Sequence, residues 1–437
     1  MEYKRQSYID QLASLRGTSQ IKIITGMRRC GKSYLLNVLF KRFLLESGVP
    51  ESHIIEVSFE GLSNKKMRDP YSFLDFINSK ITADIGPRSL SNDAGKIHIK
   101  DGSANQYYLL LDEIQLLSDF AEVLNDIARR QNVDIYVTGS NAKFLSKDVV
   151  TEFRGRGYEI HMYPLSFSEY AEERKQDPRA TYRDYMTYGG LPAVTLLEQD
   201  EQKVNYLLSV YNETFIQDII ERNNLRKSNA LTELLQVLYS NIACLTSLKK
   251  IAQTYLTNSD TPINMQTVQA YLNHFLDAFM FEKALRYDVK GRKYIGAQAK
   301  YYATDLGLRN AGIHFRQIEP THILENIIYN ELRMRGFAVD VGMVPTLVRN
   351  NGRAERRNYE IDFVCSKASQ RLYIQSALTI APSEKFQKEQ RPFAKVDDSF
   401  KKIIITRDET VAHYTEQGVL ILNVLDFLID RHSLQKF

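Results

Sequence analysis

The sequence predicts an α/β protein whose first third is a parallel sheet covered by helices. Three observations predict it. Short β-rich runs alternate with helical stretches between residues 21 and 162, a glycine-rich loop at 26–33 joins one run to a helix, and the apolar run Tyr108, Leu109, Leu110, Leu111 ends in Asp112-Glu113. Such alternation gives a parallel sheet through right-handed crossovers.

The strands read from the sequence are 21–25, 54–59, 107–111, 135–138 and 158–162. Between the first two, residues 33–46 place Leu35, Leu36, Leu39 and Phe43 at helical spacing, and Gly48 with Pro50 stops the helix. Residues 87–104, rich in Ser, Gly, Asn and Asp, read as an insertion loop. From 164 to 238 the pattern is helical, broken by Gly189, Gly190 and Pro192, as in a helical lid followed by a linker helix. Helices at 248–256 and 265–279 precede a hairpin, 281–289 with 300–304, whose tip is Lys290-Gly291-Arg292-Lys293. Two helices and a hairpin predict a winged helix. A helix at 324–335 and strands at 360–365, 372–376 and 402–406 return the chain to mixed α/β. The expected domains are 1–165, 166–240 for the lid and linker, 241–310 for the winged helix, and 311–437.

At 437 residues, a prior of roughly 150 per domain predicts about three domains. Hydrophobic residues make up 43% and charged residues 25%, which excludes both a disordered chain and a coiled-coil rod. Fifty-seven Lys and Arg against 53 Asp and Glu leave +4, too little to imply a nucleic-acid partner by itself. The apolar stretch 419–429 is broken by Asn423 and Asp426 and falls short of the ~20 residues that span a bilayer, so no membrane partner is expected. No apolar signal-peptide core opens the chain, and Cys30, Cys244 and Cys365 form no CxxC pair. Together these predict a cytoplasmic protein.

Gly26-Met27-Arg28-Arg29-Cys30-Gly31-Lys32-Ser33 fits GxxxxGK[ST] between a predicted strand and helix, the context that a P-loop requires. Its backbone N–H groups and the helix dipole suit phosphate oxygens. The nucleotide contacts are therefore expected from Gly26, Met27, Arg28, Arg29, Cys30, Gly31, Lys32, Ser33 and Tyr34. Lys32 would reach the β and γ phosphates of ATP and Ser33 would ligate Mg2+. Cys30 is either a thiol activated by its basic surroundings or a small residue filling space. The strand ending in Asp112-Glu113 reads as a Walker B element, with Asp112 on magnesium and Glu113 as base for the attacking water. The strand 135–138 ends in Gly139-Ser140-Asn141 at the same sheet edge, so Asn141, or Ser140, is either a γ-phosphate sensor or part of a plain turn.

These residues resemble a group of bacterial and archaeal AAA-type ATPases with a winged helix and a C-terminal PD-(D/E)XK nuclease-like domain. The resemblance rests on MRRCGKS, LLLDEIQ, VTGSN, GRG followed by PLSFSEY, YGGLP, KYYATDLGLRN and EIDF, and covers nearly the whole chain. It implies an ASCE-type sheet, in which the Walker B strand is not adjacent to the P-loop strand, and a cytoplasmic ATPase. Arg154 and Arg156 stand where AAA-type ATPases place an arginine finger, which implies a homo-oligomer through Arg156, although a solvated basic turn reads the same way. Glu325, Asp362 and Gln375 stand where the nuclease keeps its acids. The nuclease lysine would fall at Ala377, which cannot activate water, so cleavage is not expected. Lys385 and Lys388 are the nearby candidates for a migrated lysine.

DNA is a further expected partner. The second helix of the winged unit offers Gln266, Thr267, Gln269 and Asn273, and phosphate neutralisation would fall to Lys290, Arg292 and Lys293. An ATPase acting on nucleic acid and an ATP-gated regulator of a protein partner both remain open; an ATP-regulated nuclease is the weaker third reading.

Overall fold

A computed structural model describes residues 2–83, 106–130, 132–139, 153, 155–174, 176–223, 225, 229–258, 262–316, 319–350, 353–381 and 383–436. The chain forms two compact units, Glu2–Met162 and Tyr163–Phe437.

The first unit is built on a five-stranded sheet of β1 (Ile21–Thr25), β2 (Ile54–Ser58), β3 (Tyr107–Asp112), β4 (Val133–Thr138) and β5 (Gly157–His161), in the order β2-β3-β4-β1-β5. All pairs are parallel. Every residue of β1, β3 and β4 is buried, as expected where helices cover both faces of a parallel sheet. Ile23, Leu109, Leu111, Ile135 and Val137 form the core with Phe73 and Leu124 of the flanking helices. Because β4 lies between β1 and β3, the Walker B strand is one removed from the P-loop strand. Parallel strands put all their carboxyl ends on one edge, where such sheets bind ligands.

The helix after the loop runs Lys32–Tyr34, widens to π geometry over Leu35–Phe40, and continues as Lys41–Glu46. Leu35, Leu36 and Leu39 are buried as the spacing predicts. The next inward positions are Phe40 and Leu44, and Phe43 is left half-exposed. The wider π turn takes up an extra residue and rotates the apolar stripe by one position. The expected insertion loop at 87–104 lies outside the described residues.

In the second unit the helices Phe167–Glu172, Pro178–Tyr188, Asp200–Ser209, Gln217–Arg222 and Asn229–Ser240 come first. Ser166 and Glu169 close a reciprocal capping box at the start of this series. The YGGLP and TDLGLRN segments pack on each other. Gly190 N–H donates to the Asp305 carboxylate at 2.8 Å, and a Cβ at Gly307 would lie 2.1 Å from the Tyr188 carbonyl oxygen. These motifs are therefore structural staples.

Helices Leu248–Asn258 and Met265–Asp277 lead to β6 (Phe281–Asp288) and β7 (Lys293–Ala303). Helices Leu306–Gly312 and Pro320–Met334 then precede β8 (Ala338–Asn350), β9 (Arg353–Lys367), β10 (Gln370–Ala377), β11 (Lys401–Thr406), β12 (His413–Tyr414) and β13 (Val419–Asn423). One eight-stranded sheet holds them in the order β12-β13-β11-β10-β9-β8-β6-β7. The β6–β7 hairpin does not stand apart as a wing. β6 pairs in parallel with β8 from Arg286↔Val341 to Asp288↔Met343, so the boundary expected at 310 falls inside a single sheet. Among the described residues no helix is long and apolar enough to cross a membrane.

Candidate nucleotide site

The loop leaves β1 at Thr25 and reverses through positive φ at Gly26 (141°), Arg29 (66°) and Gly31 (101°). Gly26 admits no side chain, since a Cβ there would lie 2.1 Å from the Met162 carbonyl oxygen. Met27 and Cys30 turn inward, and the fully buried Cys30 thiol donates to the Met162 carbonyl at 3.6 Å. Cys30 is thus a space-filling anchor of the loop. Arg28 is half-buried, whereas Arg29, Ser33 and Tyr34 are exposed. The Tyr34 hydroxyl donates to Glu2 at 2.6 Å, and Arg42 pairs with the same carboxylate at 2.9 Å, which together hold Glu2 down at about 2.

Lys32 is buried, and its ammonium donates to the carbonyls of Gly26 at 3.0 Å and Met27 at 2.9 Å. Neutral carbonyls are weaker partners for an ammonium than phosphate oxygens. The lysine is therefore parked on acceptors that an anionic ligand can replace.

Asp112 ends β3, and its Oδ1 accepts from the Thr138 hydroxyl at 2.6 Å. The same Thr138 oxygen accepts from the Glu113 N–H at 2.9 Å. Thr138 lies in register with Ile24 of β1, so it links the P-loop strand to both acids. Glu113 sits at φ 52°, a left-handed backbone that turns the chain sharply after the strand, and Gln115 donates to its carboxylate. Thr138 is not among the residues expected from the sequence. Its signal is a lone polar residue ending an apolar run, the place where a parallel strand delivers a side chain to the site edge. Asn141, Ser140 and Arg154 lie outside the described residues. The Ser33 hydroxyl and Asp112 carboxylate are hard oxygen donors of the kind magnesium takes.

Arg156 belongs to the opposite edge. Its carbonyl accepts from the N–H of Ile21, the first residue of β1, at 2.7 Å. Five residues of strand at ~3.3 Å each put that edge roughly 16 Å from the loop. Arg156 lines a cavity of about 410 Å³ with Gly17, Arg129 and Arg130, and does not serve the loop of its own chain.

The nuclease-like residues come together around a lysine that the sequence does not single out. Lys300 of β7 contacts Glu325 of helix Pro320–Met334 at 2.8 Å, and Glu360 and Asp362 of β9 at 2.7 and 3.9 Å. The other Asp362 oxygen accepts from the N–H and hydroxyl of Ser376, both at 2.8 Å. Gln375 accepts from the Asp362 N–H at 3.3 Å and donates to Glu389 at 3.1 Å. Burial pushes the Glu325 carboxyl up to about 8, against the pull of Lys300. Ala377 is buried, and Lys385 and Lys388 are exposed positions on helix Ser383–Gln390.

Lys290, Arg292 and Lys293 are exposed at the β6–β7 turn, which Asp288 closes by accepting from the N–H groups of Lys290 at 3.1 Å and Gly291 at 2.9 Å. Lys290 and Arg292 border a cavity of about 660 Å³ with Arg371 and Phe400. On helix Met265–Asp277, Gln266 and Asn273 are exposed and Thr267 and Gln269 half-exposed, with Gln269 bonded to Asn273 at 2.9 Å.

Residues 18–171 match the model of an AAA domain, and residues 179–319 match a domain of unknown function, DUF8612. A Haemophilus influenzae relative described as an uncharacterized protein is 31% identical over 434 residues, covering 97% of this chain and 98% of its own. The chain belongs to the same family, one of AAA-domain proteins. An uncharacterized protein of Methanocaldococcus jannaschii is 27% identical over 361 residues, 79% of this chain and 72% of its own. Among solved structures, the Aeropyrum pernix ORC2 protein in its ADPNP-ADP complexes is 15% identical, covers 75% of this chain and 92% of its own, and aligns with a TM-score of 0.36. The AAA match contains the phosphate loop, Asp112, Glu113 and Thr138. The family's P-loop fold is that of a nucleotide-binding ATPase domain, and the Lys300 cluster lies beyond it.

Proposed function

We propose that the protein hydrolyses ATP to ADP and phosphate at the carboxyl edge of its first sheet, and couples this to nucleic acid held by the second unit. The observation that carries the first half is the junction of Thr138 with Asp112 and Glu113 at the strand edge that also carries the loop. Lys32 would exchange the carbonyls of Gly26 and Met27 for the β and γ phosphate oxygens. Ser33 and Asp112 would hold magnesium, which supplies charge neutralisation on those phosphates. Glu113, kept in place by Gln115 and by the Thr138 contact to its N–H, would accept a proton from water. Asn141 would orient that water, and Arg156 would act on the nucleotide of a neighbouring copy, consistent with its position away from its own loop.

The second half rests on the exposed basic turn Lys290, Arg292 and Lys293 and on the polar outer face of helix Met265–Asp277. Phosphate contacts from the turn would give affinity, and Gln266, Thr267, Gln269 and Asn273 would face base edges. ATP turnover measured with duplex DNA, with single-stranded DNA and without either tests this reading. Stimulation by DNA is expected. Turnover that DNA leaves unchanged would favour a protein partner, and absence of turnover would remove the hydrolase assignment.

A further inference from the structure

The resemblance to a metal-dependent nuclease implies a divalent cation among Glu325, Asp362 and Gln375, and the groups present do not fit one. Metal-assisted hydrolysis needs carboxylate oxygens that are open to the ion and to a water. Here one Asp362 oxygen is taken by two donors of Ser376, and the other faces Lys300. The Glu325 oxygen Oε1 accepts from both Lys300 and the Tyr302 hydroxyl, each at 2.8 Å. Gln375, which would offer a neutral oxygen, instead turns that oxygen to the Asp362 N–H. Among the described residues no group of three or more Asp, Glu, His or Cys side chains is arranged to hold a metal ion.

We infer that the Lys300 ammonium is the resident cation of this cluster, standing where a divalent ion would otherwise neutralise Glu325, Glu360 and Asp362. A lysine at 4% side-chain exposure keeps its charge in a protein interior only when charged partners compensate its lost hydration, and these acids supply them. The arrangement is reciprocal, because the two nearly buried acids Glu325 and Asp362 would be uncompensated without the ammonium. It also fixes the architecture. Lys300 lies on β7, at one edge of the sheet, while its partners come from helix Pro320–Met334 and from β9, so one side chain joins the hairpin to the acid-bearing elements. Ala377 then carries no defect to repair. The cation has been supplied from a different strand, in a position that neutralises the acids and leaves no place for an ion and its water.

The test is Mn2+ binding to the full chain without nucleotide, read by loss of the free-ion electron paramagnetic resonance signal, in the parent, Lys300→Ala and Asp362→Asn. The parent is expected to show no Mn2+ site that Asp362→Asn removes. Lys300→Ala is expected to gain one equivalent of bound Mn2+ and to melt higher with Mn2+ than without it, since a ligand that binds only the folded state stabilises it. An Asp362-dependent Mn2+ site in the parent would overturn the inference, as would a folded Lys300→Ala that binds none. If Lys300→Ala fails to fold, recovery of soluble protein by Mn2+ or by the added neutralisation Glu325→Gln supports the inference. Failure of both rescues overturns it, because the lysine would then matter for packing and not for charge.

Discussion

Two lysines, one in each unit, meet carboxylates or carbonyls in opposite ways. Lys32 rests on two uncharged carbonyl oxygens beside an exposed Ser33, whereas Lys300 is enclosed by three carboxylates. A cationic group held by weak, neutral acceptors can move to a stronger anionic one. A group already surrounded by opposite charge gains nothing from a new ligand and would strand its partners by leaving. The comparison separates a site open to an incoming phosphate from one that resembles an active centre in residue types yet is closed on itself. Residue identity alone does not distinguish them; the partners of each charge do.

The sharpest way to break the first half of this comparison is Glu113→Gln. The amide keeps the shape and the contact to Gln115 but accepts no proton, so ATP turnover is expected to fall by roughly 10²- to 10⁴-fold while ATP remains bound. Phosphate release at the parent rate would mean that Glu113 is not the base.

Thr138→Val tests whether the strand-end junction matters. Valine is close in shape but leaves an Asp112 oxygen and the Glu113 N–H without their partner, at a cost of about 1–3 kcal/mol for the buried groups. For a unit of this size that lowers the melting temperature by about 2–4 °C per kcal/mol. A turnover loss of roughly tenfold is expected beside it, read from the same preparation. A variant with unaltered turnover and melting would show that Thr138 only fills the strand end.

The legibility of the molecule divides along the same line. The loop, the acid pair and all five strands of the first unit's sheet are legible because their determinants are local. The loop glycines lie together in 26–33, the two acids follow directly on their own apolar run, and β1 coincides with the predicted 21–25. β8 escapes the sequence reading because Gly342 and Pro345 interrupt its apolar pattern, although Pro345 pairs opposite Asn358 in the ladder. Lys300 is unreadable as a counterion because its partners are 25, 60 and 62 positions away (325, 360 and 362 less 300), and only the pairing of β6 with β8 brings its strand to them. The expectation of a separate wing fails for the same reason, since a hairpin carries no sequence signal of the sheet it joins.

The smallest effect is expected at the β6–β7 turn. Replacing Lys290, Arg292 and Lys293 with Ala should weaken DNA binding evenly across sequences and flatten its log-log salt slope by up to about 3, near one for each phosphate no longer neutralised. An unchanged slope would remove the turn from the DNA interface and leave helix Met265–Asp277 without its expected electrostatic partner.

The most direct test of the central claim is a calorimetric titration of ATP with magnesium into the parent and into Lys32→Ala. Charge-assisted bonds are worth about 1.5–3 kcal/mol each, so loss of the ammonium from two phosphate groups predicts at least roughly a 100-fold drop in affinity. Equal affinity in the two proteins would contradict the account, because the lysine parked on Gly26 and Met27 would then not be the one that receives the phosphates.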